Sequence, residues 1–95
     1  MTRHYLAGQL SVVLGHLQAV AATEAAVQEA WTLRLAVETQ PVATLGSAII
    51  RALALAERLC WDSLNSGDVA AFSRQATVCA ELRDFGVFAG LLIDG

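Results

Sequence analysis

Residues 4–38 read HYLAGQLSVVLGHLQAVAATEAAVQEAWTLRLAVE, and the fold turns on whether this stretch is one helix or two. Leu6, Leu10, Val13, Leu17 and Val20 follow one another in alternating steps of four and three. The series runs on through Glu24 to Val27 and Trp31. Such steps keep side chains in line along a helix and form a heptad seam. A second line, Gly8, Val12, Gly15, Ala19, Ala22 and Ala26, consists mostly of small residues that permit close helix approach. A helix apolar on two sides is sandwiched between neighbours. Thr23 can cap a new start, but no Gly or Pro marks a break there. A continuous helix over 4–38 would be about 52 Å long at ~1.5 Å per residue. A domain of this size approximates a sphere only about 32 Å across. The expectation is one long helix whose apolar overhang is covered by a second chain, with a bend near Val20–Glu24 as the alternative. The predicted interface is Leu6, Leu10, Val13, Leu17, Val20, Val27 and Trp31.

Pro41 bounds this stretch, because it disfavours helical geometry at Gln40 and suits the first turn of a following helix. Thr39 is the expected N-cap of a second helix over about 41–64. There Val42, Leu45, Ile49, Ala52, Ala56 and Leu59 form the apolar stripe, widened by Ile50, Leu53, Cys60 and Leu64. Asn65-Ser66-Gly67-Asp68 reads as a turn. Gly67 suits a left-handed C-cap, and Asp68 suits the N-cap of a third helix over about 69–85. Val69, Phe72, Ala76 and Cys79 line that helix, with Val78, Leu82 and Phe85 beside them. Gly86 is expected to end it. The apolar tail 87–93 is then either a last helical turn or a segment that docks on a protein partner. Together these elements predict an all-α fold: a small antiparallel bundle of three long helices in one domain, completed by dimerisation.

Composition supports a folded chain with apolar surface to spare. Of 95 residues, 56 % are apolar and 16 % are charged, against about 45–50 % and 25 % in ordinary domains. So few charges cannot cover a small domain, and exposed apolar patches mark interaction sites. The formal net charge is −3. The six Arg are scattered among acids without forming a basic run, so no contact with nucleic acid is expected. The chain has no Lys and is rich in Ala, Val, Leu and Gly, a bias expected of a GC-rich bacterial genome. Gln9, His16 and Gln18 interrupt the uncharged stretch 5–23, which argues against a signal peptide or a membrane span. Two cysteines, Cys60 and Cys79, are too few for a disulfide scaffold and fit free thiols in the cytoplasm.

The spacings carry no catalytic or cofactor-binding pattern. No Cys or His pair stands three or four residues apart, and Glu-x-x-His is absent, so no metal is expected. There is no phosphate-binding Gly loop, dinucleotide fingerprint or nucleophile elbow, so no cofactor is expected either. Arg51 and Arg58 share a helix face and can bind an anion, although Arg58 can instead pair with Asp62 one turn on. His16 on the first helix is a further candidate ligand residue. The helix, Asn-Ser-Gly-Asp turn and helix of Leu45–Gly86 resemble helical hairpins in small packaging-accessory proteins of actinobacterial phages. The resemblance covers less than half of the chain, lacks the basic DNA-contacting region and transfers no functional residue. It implies a phage or mobile-element accessory protein. The residues themselves favour a non-enzymatic, self-associating assembly or adaptor protein that acts through apolar helix faces. The alternative is a small all-α enzyme or ligand-binding dimer with Arg51, Arg58 and His16 around a pocket.

Overall fold

The computed structural model describes residues 2–94, with side chains except those of Thr2, Val42 and residues 91–94. Four helices follow one another: α1 (Thr2–Val20), α2 (Glu24–Thr39), α3 (Pro41–Ser66) and α4 (Val69–Asp94). The stretch 4–38 is therefore two helices. Its break lies at residues 21–23, where Thr23 takes an extended conformation as N-cap of α2 and its hydroxyl accepts the Ala26 N–H at 3.1 Å. Glu24 adds a negative charge at the positive end of α2. The freed end of α1 is satisfied from across the bundle. The Gln75 side-chain amide of α4 donates to the Val20 carbonyl at 3.1 Å, and its Oε1 accepts the Ser63 hydroxyl of α3 at 2.6 Å. Gln75 is 1 % exposed, so this chain of hydrogen bonds ties three helices inside the protein.

The break also shifts the helical phase. α1 buries Leu6, Leu10, Leu14 and Leu17, whereas α2 buries Ala26, Ala30, Leu33 and Val37. A single seam drawn through both helices gives Val13 the place that Leu14 occupies. It also assigns Val27 and Trp31 to a face that α2 turns away from the core. Trp31 is 48 % exposed.

The other junctions follow local rules. Gln40 alone links α2 to α3, with Pro41 at the first position of α3. Gln40, not Thr39, is the N-cap and makes no side-chain capping bond. The Thr39 hydroxyl donates back to Leu35 O, and Thr44 Oγ1 lies within hydrogen-bonding distance of both Gln40 O and Ala36 O. Gly67 takes φ +77° beyond the end of α3, and Asp68 N–H donates to Ser63 O at 2.9 Å. Asp68 Oδ1 then accepts Ala71 N–H at 3.0 Å at the start of α4. Gly86 does not end α4. It lies inside the helix opposite Ile49 of α3, where a Cβ would make an ordinary contact at 3.5 Å. The tail 87–93 is the last part of α4, and its residues 91–93 lie outside the described side chains.

Successive helices are antiparallel, as cross-helix pairs show. Ser11 meets Glu38, Arg58 meets Glu29, Arg83 meets Glu57, and His16 of α1 meets Glu81 of α4. α1 also touches α3, whereas α2 and α4 do not touch among the described residues. In section the bundle is a rhombus with α1 and α3 across its short diagonal. The small side chains of Ala48, Ala52 and Ala56 on α3 are all buried and permit that approach. The result is a slab of 43 × 24 × 16 Å. No described helix is long and apolar enough to cross a membrane.

Thr23→Ala is expected to cost about 1 kcal/mol, the usual loss of an N-cap. Gln75→Ala is expected to cost about 2–4 kcal/mol, because Ser63 loses its acceptor and Val20 O its donor inside the protein. Urea unfolding followed by circular dichroism measures both. A Gln75→Ala variant within about 0.5 kcal/mol of the parent contradicts the buried tie.

Candidate functional site

Three regions of the surface carry chemistry worth building up from their residues. The first is the α1–α2 face. Ser11 is buried there and donates its hydroxyl proton to Glu38 at 2.7 Å, while Arg34 Nε lies 3.2 Å from Glu38 and 3.3 Å from Ser11 Oγ. The Arg34 guanidinium lies over Gly15, 3.4 Å from where a Cβ would stand. The Ser11 hydrogen bond, then that of Arg34, holds the Glu38 carboxyl below the usual carboxylate range. A carboxylate so stabilised is a poor proton acceptor, and Ser11 has no histidine bonded to it among the described residues. The trio is a tie between helices rather than a nucleophile and base.

The second region comprises Arg51, Arg58 and His16. Arg58 leaves Asp62 and reaches Glu29 of α2 at 2.6 Å, whereas His16 Nδ1 lies 3.1 Å from Glu81 of α4. These contacts stand on opposite faces of the slab. Arg51 is exposed on α3 and has no acidic partner among the described residues. None of the three lines any of the clefts described, so the fold does not gather them into one anion site. Among the described residues, no three His, Cys, Asp or Glu side chains come together to hold a metal.

The third region is the outer side of α3 and α4. On α3, Ile50, Ala54, Glu57, Trp61 and Leu64 stand in steps of four and three, all exposed. Ile50 is 72 % and Trp61 63 % exposed. On α4, exposed Val69, Arg83 and Val87 continue the face, with half-buried Phe72 and Ala76 between them. Between the two rows lies an open groove of ≈ 370 Å³, lined by Cys60, Trp61, Leu64, Phe72, Ala76 and Cys79 with Glu57 and Arg83 at its side. Arg83 and Glu57 face each other across it at 3.3 Å. Alternating steps of four and three on an exposed helix form the seam of a helix that packs on another helix. Here the seam is open to solvent. The signal was present in the sequence, but Ile50 and Leu64 read equally well as a widening of the core stripe.

The thiols on the groove floor sit where the thiolate is disfavoured. Burial pushes both Cys60 and Cys79 above the usual cysteine value, with the neighbouring Cys79 adding to the shift of Cys60. Arg83 opposes the rise at both, without cancelling it. Neither sulfur has the lowered pKa of a catalytic thiolate.

The predicted interface residues divide sharply. Leu6, Leu10 and Leu17 are 0 % exposed within one chain. Val13, Val20 and Val27 are half-buried, and Trp31 alone is exposed. In this fold, then, α1 spends its leucines on its own core; exposed apolar side chains remain on every helix, Tyr5 and Val12 on α1 and Trp31 and Leu35 on α2 among them, with the larger share on α3 and α4. Compared with family models, curated proteins and solved structures, the chain matches none.

Two measurements check these environments. In the native protein at pH 7.5, both thiols are expected to react with an aromatic disulfide reagent at least tenfold more slowly than in urea, because burial hinders access and disfavours the thiolate. Equal rates in the two states contradict the buried setting. The folded pKa of Glu38 lies below its unfolded value. Its contribution to stability is therefore complete above the unfolded value and is lost as pH falls through the folded one. Ser11→Ala is expected to raise the Glu38 pKa in a carbon-detected NMR titration; an unchanged value contradicts the hydrogen bond as its main cause.

Proposed function

We propose that this chain is a non-enzymatic, self-associating assembly or adaptor protein that works through an apolar helix face. The observation that carries the reading is the row of exposed Ile50, Trp61 and Leu64 on α3 beside Val69 and Val87 on α4. Exposed apolar side chains are ordinary when scattered. Here they share one side of two neighbouring helices, with Ala54, Phe72 and Ala76 between them, and exposed apolar surface gathered in this way marks a site of contact. Trp is also the residue most enriched where contacts carry energy. The arrangement of polar groups supports the same reading. Ser11, Arg34, Glu38, Glu29, Arg58, His16 and Glu81 are paired across helix boundaries, where they join elements of one chain.

A small enzyme or ligand-binding dimer built on Arg51, Arg58 and His16 draws no support from the clefts described, none of which those residues line. Self-association of the chain with itself is the simplest use of the open face, since most soluble oligomers are homo-oligomers.

Size exclusion with light scattering, run over a range of loading concentrations, tests the proposal. The expected result is a mass of a dimer or larger, against 10.0 kDa for one chain. A mass of one chain at every concentration up to about 1 mM, where binding would amount to only about 4 kcal/mol, overturns the self-association.

A further inference from the structure

The α3–α4 face carries one acid and one base at its middle, and their placement specifies what covers it. α3 and α4 run antiparallel, with Ser63 opposite Gln75, Glu57 opposite Arg83 and Ile49 opposite Gly86. The Glu57–Arg83 pair thus stands within about one turn of the middle of each 26-residue helix. Apolar side chains flank it in both directions: Trp61, Leu64 and Phe72 on one side, Ile50 and Val87 on the other.

We infer that a second copy of this chain covers the face, related by a two-fold axis that runs along the helices. This inference rests on the self-association proposed above and names its geometry. Rotation about such an axis lays α3 of one chain on α4 of its partner at the same height, and every neighbouring pair of helices is then antiparallel. Glu57 comes to face the partner's Arg83, and Arg83 the partner's Glu57. The four charges form a ring of alternating sign at the centre of the contact. Trp61 and Leu64 meet the partner's Phe72 and Ala76, while Ile50 meets the partner's Val87. A two-fold axis crossing the helices at this pair would instead stack Glu57 on Glu57, so with the pair at the centre of the contact charge selects the first arrangement. Isologous contacts require a self-complementary patch, and this face is one.

The area fits as well. Two adjacent helices of 26 residues, each about 39 Å long and about 10 Å wide, present about 800 Å². That is about what each partner contributes to a standard stable interface, ~800 Å².

The test uses charge reversal at two exposed positions. Glu57→Arg gives a chain with two positive charges on the face, and Arg83→Glu gives one with two negative charges. Each variant alone is expected to dimerise at least tenfold more weakly than the parent, read by light scattering across a dilution series. A 1:1 mixture is expected to recover a dimer containing one chain of each, because every cross-chain contact in the ring is again between opposite charges. Circular dichroism confirms that each variant keeps its helix content. Should either reversal disturb the fold, Glu57→Gln and Arg83→Gln supply the milder pair, each weakening the dimer without like-charge repulsion. A parental dimer that neither substitution weakens leaves self-association standing and overturns this interface. Variants that weaken but do not recover on mixing overturn the ring. A parent of single-chain mass overturns both the interface and the proposed function.

Discussion

The amide of Gln75 holds the fold at its turning point. Where α1 stops at Val20, its last carbonyls lose their intrahelical donors, and such groups cannot be left bare beside a core. Gln75 supplies a donor from α4 while its own oxygen takes the Ser63 proton from α3. Thr23 satisfies a donor on the other side of the gap, at the start of α2. With both ends met, the chain reverses within three residues, 21–23, and the leucines of α1 are brought against its own α2, α3 and α4. Without that reversal, Leu6, Leu10, Leu14 and Leu17 would need a second chain to cover them.

The reversal also decides which surface is left open. α1 and α3 are in contact across the short diagonal, and α2 and α4 lie at the flanks. The α1–α2, α2–α3 and α1–α4 boundaries are each crossed by polar pairs, through Arg34, Arg58 and His16 respectively. These exposed polar contacts contribute modestly to stability. They set polar groups along those boundaries. The α3–α4 boundary has one such pair, Glu57–Arg83, set in an otherwise apolar strip. A surface of that kind is costly to leave in water, and it is the one proposed to receive a second copy.

Much of this was legible in the residues. Pro41 placed the start of α3, Gly67 and Asp68 placed the turn before α4, and the stripe of Leu45, Ala52, Ala56 and Leu59 named the buried side of α3. These are local signals, each set by the backbone preferences of one or two residues. The break at 21–23 was less legible because Thr23 is its only local mark, and the donor that completes it lies 55 residues away in Gln75. Missing the break misaligned the reading of α2, where the buried stripe passes through Ala30 and Leu33 rather than Val27 and Trp31. Gly86 misled for a related reason. A glycine late in a helix reads as a stop, yet α4 runs through it, packed beside Ile49 of α3, a neighbour no local pattern reveals. Arg58 chose Glu29 over Asp62 because the fold brings α2 alongside, which intrahelical spacing cannot anticipate. The candidate surface lay between these cases: its heptad spacing was present, but burial alone separated an open seam from a core stripe.

The distance between residues 5 and 35 measures the reversal itself. Tyr5 and Leu35 are both exposed and accept spin labels through cysteine, in a background where Cys60 and Cys79 are replaced by alanine. Dilution with unlabelled chain confines the reading of double electron–electron resonance to one molecule. An α1–α2 hairpin predicts a distance of about 15–25 Å, set by roughly nine residues of axial offset at ~1.5 Å each and one helix spacing of about 8–10 Å. A continuous helix over 4–38 would place the labels about 45 Å apart, 30 residues at ~1.5 Å each. The short distance is the predicted result. A population centred on the long one would contradict the reversal and return the leucines of α1 to the surface.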